Sequence, residues 1–140
     1  MELLPGISST ESALDAERVR MDIIAQNIAN AHTTRDVDGK PYQRRVVTFE
    51  SELMKSSGIL GKQATGVKIA EIARDETPGP QVYNPEHPHA NADGMVEMPN
   101  VQMSKEMVDL ITASRAYEAN LKVVTTARRM ASKALEIGRG

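Results

Sequence analysis

The last forty residues, 101–140, constrain what this chain can fold into more than any other stretch. From Met103 onward, apolar or small side chains return at alternating steps of four and three: Met103, Met107, Leu110, Ser114, Tyr117, Leu121, Val124, Arg128, Ala131 and Leu135. That is a heptad seam, broken only at Ser114 and Arg128. A second row runs beside it through Ala116, Asn120, Val123, Ala127, Met130, Ala134 and Ile137. The stripe is therefore broad, as on a helix that touches more than one partner. No Gly or Pro intervenes before Gly138, a natural C-terminal stop. At ~1.5 Å per residue the helix is roughly 55 Å long. Such a helix is too long to bury itself within one compact domain.

The other end of the chain answers it. After Pro5-Gly6, Ser8 and Glu11 fit a capping box, which predicts a helix from there to about Asn30. Leu3, Ile7, Thr10, Leu14, Glu17, Met21, Ile24 and Ile28 keep the four-three rhythm, with Thr10 and Glu17 as misfits and Leu3 as a docked extension. Arg18 and Asp22 lie on the outer face at a spacing that allows an ion pair. The two patterns predict a coiled-coil-like hairpin, with Leu14, Met21, Ile24 and Ile28 packed against Leu110, Tyr117, Leu121 and Val124. Asn27 and Asn120 sit beside the stripes. A buried Asn there fixes register and partner number, whereas one at the stripe's edge is simply solvated. Ordering the terminal segments costs more conformational entropy than one partner helix returns by burial. Both helices are thus expected to be marginal in the isolated monomer and to gain order on association.

Between the helices the chain changes character. His32 to Pro41 is turn-rich, and residues 42–49 read as a strand. Residues 50–66 are ambiguous, with Ser56, Ser57, Gly58 and Gly61 as breakers. Residues 67–73 form a second strand candidate whose alternation slips near Glu71, the mark of a bulge. Thr77-Pro78-Gly79-Pro80 is a turn, residues 81–83 are extended, 84–94 are loop and 95–98 a short strand. Asn100 is the expected N-cap of the long helix. The fold class that follows is α+β. A segment over 1–31 carries the first assembly helix, 32–100 form a small loop-rich β module, and 101–140 carry the second.

Three tyrosines, one phenylalanine and eight methionines make a core of adaptable rather than aromatic filling. A net charge of −2 with interspersed signs argues against nucleic acid or an anionic membrane as partner. Arg44-Arg45 and Arg128-Arg129 read as solvated pairs. The chain has no cysteine, hence no disulfide or thiolate chemistry. Its first residues lack the apolar run of a cleaved secretory signal, and no stretch is long and apolar enough for membrane insertion.

His87-Pro88-His89, with Glu86, Asn91 and Asp93, offers possible ligands in one loop, but the spacing favours a polar surface over a metal site. A calcium-loop reading of Thr34-x-Asp36-x-Asp38-Gly39 fails because Arg45 stands where the twelfth-position Glu is needed. The acidic residues read as lying on solvated helix faces or loops. The sequence therefore carries no catalytic, cofactor-binding or metal-ligating set, and no small-molecule substrate is expected.

Three separated motifs carry a resemblance. Ser114-Arg115-Ala116-Tyr117-Glu118-Ala119-Asn120-Leu121, followed by residues 130–138, resembles the C-terminal helix of bacterial flagellar rod and hook axial proteins. Asn27-Ile28-Ala29-Asn30-Ala31-His32-Thr33-Thr34-Arg35 is similar to their N-terminal rod signature. Residues 87–96 and Met98-Pro99-Asn100-Val101 resemble the short proximal-rod branch. Residues 1–14 depart from the family pattern, with Ser9-Thr10-Glu11-Ser12-Ala13-Leu14 in place of its Ser-Ala-Ser-Gly-Leu run.

The resemblance implies a structural subunit without enzymatic activity. It would be exported without a cleaved signal through the flagellar type III apparatus, and would polymerise with itself and other rod proteins into the torque-transmitting periplasmic rod of the basal body. The assembly interface expected on this reading comprises Leu14, Met21, Ile24, Asn27, Ile28, Met103, Met107, Leu110, Tyr117, Asn120, Leu121, Val124, Ala131 and Leu135. Two other readings differ in kind. A soluble adaptor would form a closed complex through its helices, and a metal-dependent enzyme would use the His87/His89 loop.

Overall fold

The computed structural model describes residues 5–54 and 64–138. A first helix, α1, spans Pro5–Ala29, and a second, α2, spans Met103–Gly138. Between them lie β1 (Arg45–Met54), β2 (Ala64–Arg74), β3 (Gln81–Tyr83) and β4 (Met95–Glu97). The strands form two separate antiparallel two-stranded sheets, β1 with β2 and β3 with β4. Two helices with a small β-rich insertion make the α+β architecture expected. Leu3 and the Ser56–Gly61 breakers lie outside the described residues.

Helix α1 is the central element. It packs on α2 and also on the β1–β2 hairpin, whereas α2 meets no strand among the described residues. Ser12 makes the second contact specific: its Oγ donates to the Ser9 carbonyl (2.8 Å) and accepts the Val67 N–H of β2 (3.0 Å). Helix α1 thus has two partners. Its most buried positions, Ala16, Ile23, Ile24 and Asn27, fall between them, while Leu14, Met21 and Ile28 of the predicted seam are only half-buried.

Local chemistry departs from the expected caps at both helices. The first begins at Pro5, whose missing N–H suits the first helical position, so Ser8 and Glu11 lie inside the helix. Glu11 reaches instead to Arg128 of α2 at 2.9 Å, and Arg20 pairs with Glu17 where Arg18 and Asp22 were expected to pair. The second helix begins at Met103, and the Gln102 carbonyl takes its first hydrogen bond, from the Glu106 N–H at 3.0 Å. Asn100 is therefore not the N-cap. Its Oδ1 accepts the Arg44 N–H (2.7 Å), and its Nδ2 donates to the Asp75 and Thr77 carbonyls (2.8 and 2.9 Å). One side chain stitches the segment entering α2 to the ends of the hairpin.

In the hairpin, Thr48 faces Glu71 but Phe49 faces Ile69, which leaves Ala70 as the extra residue of a bulge beside Glu71. The loop joining β3 to β4 turns at Gly94 (φ 73°), and Asn91 Oδ1 accepts the N–H groups of Asp93 (3.0 Å) and Met95 (2.8 Å). Gly79 has a different reason to be glycine. A Cβ there would stand 1.8 Å from the Met98 carbonyl oxygen, so an alanine must push two backbone segments apart. We expect Gly79→Ala to destabilise the fold by about 1–3 kcal/mol, the usual range for overpacking. The midpoint of urea unfolding, monitored by circular dichroism, checks it.

Candidate assembly interface

The end of α1, the start of β1 and the start of α2 converge on a buried polar junction. At its centre are Glu106 and Asn27, 0% and 1% exposed. Asn27 uses its whole amide. Its Oδ1 accepts the Tyr42 hydroxyl and the Arg45 N–H, both at 2.9 Å, and its Nδ2 donates to the Arg45 carbonyl (2.9 Å) and to Glu106 Oε2 (3.1 Å). Because it meets both backbone groups of Arg45, the side chain acts as a one-residue strand partner where β1 starts. The other carboxylate oxygen of Glu106 takes the Nε–H of Arg44, whose guanidinium also lies 3.5 Å from Asp109. Every polar atom of Asn27 and both oxygens of Glu106 are therefore engaged. A buried carboxylate is tolerated only under such conditions.

The junction corrects two readings of the sequence. Arg44 is not half of a solvated pair, for its side chain is largely covered by Glu106 and Asp109. Glu106 is not on a solvated face. Asn27 takes the buried alternative, and Asn120 is half-buried.

The inward face of α2 is also turned from the predicted seam. Its buried residues are Glu106, Ala113 and Val124, flanked by half-buried Leu110, Tyr117, Asn120, Ala127 and Ala131. Met103, Leu110, Tyr117, Val124 and Ala131 of the predicted set thus lie on or beside this face. Met107 (52%), Leu121 (44%) and Leu135 (63%) are exposed. Away from the inward face, Val108 and Ile111 on the back of the helix and Val123, Met130 and Ile137 along one flank are all exposed. One helix carries two faces that water should not cover. The second face is legible in part from the Val123–Met130–Ile137 row of the sequence.

The histidine loop is arranged differently. The His87 and His89 rings meet edge-on at 5.2 Å, His89 Nδ1 bonds the Thr34 hydroxyl (2.8 Å), and the His89 N–H donates to His87 Nδ1 (3.1 Å). Among the described residues, no three His, Asp or Glu side chains are placed to hold a metal ion. None of the described helices is long and apolar enough to cross a membrane.

Two expectations follow from the junction. Asn27→Ala leaves the Tyr42 hydroxyl, both backbone groups of Arg45 and one oxygen of Glu106 without their partner at once, and should cost about 3 kcal/mol or more. Equilibrium denaturation measures it. Burial raises the Tyr42 phenol above its ordinary value of 10.0, and ionisation would remove the proton it donates to Asn27. The folded state then holds that proton more tightly than the unfolded state. Its stabilising effect is complete below about pH 10 and falls as pH rises through the raised pKa. Tyrosinate absorbance should show one phenol titrating late, together with loss of helix. In Tyr42→Phe that late phase should vanish.

Comparison with known proteins places these elements. The family model described as "Flagella basal body rod protein" matches residues 7–35, which hold most of α1 and Asn27. That described as "Flagellar basal body rod FlgEFG protein C-terminal" matches residues 92–137, from the approach to β4 to the end of α2. The flagellar basal-body rod protein FlgC of Bacillus subtilis is 41% identical, over 99% of this chain and 100% of its own length. FlgC of Borreliella burgdorferi is 37% identical over 100% of both chains, and FlgC of Salmonella typhimurium 38% over 99% of both. Similarity of this extent, reaching from end to end and matching both rod segments, makes the chain a member of the FlgC family of flagellar basal-body rod proteins.

Proposed function

We propose that this chain is a structural subunit of the flagellar basal-body rod, without catalytic activity, which polymerises through its terminal helices. The observation that carries the reading is the double-faced α2. Its inward face is used on α1, while Val108 and Ile111 on the back, Val123, Met130 and Ile137 on one flank and Met107 and Leu121 on the other remain exposed. Apolar surface of that extent along one helix marks an interaction site. Two outer faces set on each other would close as a dimer, whereas an outer face set on a different surface of the next copy leaves that copy's own outer face open, and contacts then propagate. Repetition of one heterologous contact generates a helical filament.

On this reading the surface between subunits draws on the exposed and half-buried members of the fourteen residues named above, Leu14 to Leu135, together with the outer row, while Ile24, Asn27 and Val124 are buried within the chain. Partners are further copies of the chain and other rod proteins. The periplasmic location, transmission of torque and passage through the flagellar type III apparatus without a cleaved signal belong to the same proposal. They rest on family membership.

Leu121→Asp tests it. Residue 121 is 44% exposed, so an aspartate there is solvated in the monomer but becomes a buried charge in an assembled wall. The variant should keep the far-UV circular dichroism of the parent, fail to enter rods and fail to restore motility to a strain lacking the gene. Normal rods built from Leu121→Asp subunits would exclude position 121 from the interface.

A further inference from the structure

Helix α2 has two ways to face α1, and hydrophobicity favours the one it does not use. The seam through Met103, Met107, Leu110, Tyr117, Leu121 and Val124 holds large apolar side chains at heptad spacing. The observed face centres on Glu106, Ala113 and Val124, with half-buried Leu110, Tyr117, Asn120, Ala127 and Ala131 beside them, so it shares Leu110, Tyr117 and Val124 with the seam and leaves out Met107 and Leu121. A rotation of roughly 50°, half the ~100° step of one residue, converts one face into the other. It would bury Met107 and Leu121 and bring Ala127 into solvent. Apolar burial alone would drive that rotation. Something opposes it.

We propose that Asn27, Arg44 and Glu106 are positioning residues for assembly, forming a polar lock that selects the less apolar face of α2 and so aims its apolar rows at neighbouring subunits. The lock ties α2 to the rest of the chain by the Asn27–Glu106 bond (3.1 Å) and the Arg44 pairs with Glu106 and Asp109. Rotation of α2 would pull a fully buried carboxylate from both partners, which costs more than a seam of leucine and methionine returns. Another tie, Arg128 to Glu11, joins two exposed side chains and contributes little to the choice. A single polar group fixing register at the expense of stability is an attested device in paired helices. Here the same device leaves Met107 and Leu121 uncovered. The inference rests on the assembly reading for its purpose, but not for its geometry.

The test uses the dilute full-length monomer, which has no native cysteine. Leu121→Cys and Ala127→Cys, made singly, are labelled with a thiol reagent in the parent and in Arg44→Leu/Glu106→Leu. That pair replaces a buried ion pair by apolar side chains, an exchange that often leaves stability unchanged or raises it, and it leaves Asn27 bonded to Tyr42 and Arg45. The lock predicts that labelling slows at 121 and quickens at 127, each by about tenfold or more, with the helical circular dichroism retained. Glu106→Gln keeps the shape but sets an NH2 against one of the two donors, so its labelling should fall between that of the parent and that of the double-leucine variant.

Unchanged labelling in the folded double-leucine variant overturns the proposal, because the alanines at 113 and 127 would then choose the face by their shape. Should that variant lose its helix, Glu106→Met is read with the same two labels. Loss of helix in both variants also overturns it, since the junction would then hold the fold instead of choosing between two folded faces. The assembly reading fails separately. A chain that has rotated by the labelling criterion yet still builds rods would keep the lock and remove its purpose.

Discussion

A carboxylate with no exposed surface is the constraint on which this molecule turns. Glu106 lies within the first turn of a helix, where a negative charge is favoured by the unpaired N–H groups, but water would serve that charge equally well. Burial removes the water, and the chain must return to the carboxylate from elsewhere with donors. They come from Asn27, at the end of the first helix, and from Arg44, just before the first long strand. Three segments distant in sequence meet because one group cannot be left alone. Asn27 extends the arrangement by pairing with both backbone groups of Arg45 and holding the Tyr42 hydroxyl. The helix pair and the hairpin therefore share one polar hub. Asn27 is the member whose loss reaches all of them.

The junction also explains why the apolar patterns of the helices do not map simply onto burial. Helix α1 is held between α2 and the hairpin, so its most buried positions lie where the two contacts meet rather than along a single heptad stripe. Among the described elements α2 packs on α1 alone, and it gives that helix Ala113, Val124 and the half-buried Leu110 and Tyr117 while Met107, Ile111, Leu121 and Met130 are left outside. For a monomer optimised in isolation this is a conflict between local pattern and global structure. For a subunit it is the expected division of labour between intramolecular and intermolecular contacts.

Much of this was legible in the residues. The long heptad run marked α2 to within a few positions, the strand candidates at 42–49 and 67–73 marked parts of β1 and β2 without their extension into the ambiguous stretch between, and the slip at Glu71 marked the bulge that sets Thr48 and Phe49 out of step. These are local signals, carried by period and turn chemistry. The caps were misread for a local reason too. Pro5 outcompetes Ser8 as a helix start, and Asn100 spends its side chain on Arg44, Asp75 and Thr77 instead of the helix behind it. Glu106 and Arg44 were not legible at all. Each looks like an ordinary charged residue among charged neighbours, and their meaning lies in a pairing 62 residues apart. Asn27 gave half a signal, an amide beside an apolar stripe, without its partner 79 residues away.

That asymmetry bears on how a polymerising subunit can be specified. Apolar faces are promiscuous, since any stripe of leucine and methionine can cover any other, and a chain carrying several of them is at risk of folding onto the wrong one. Directional groups remove the ambiguity, because a carboxylate that needs an amide and a guanidinium in fixed positions accepts one arrangement. Placing those groups at the mouth of the helix pair, where α1 ends and α2 begins, sets the rotation of α2 at its root. The remaining turns of α2, from Ala113 to Gly138, continue that setting through the rigidity of the helix itself, and bury Ala113 and Val124 on the same face. The aim of the assembly surface is thus decided far from the surface, by three side chains that touch none of its outer row's exposed tip at Met130 and Ile137.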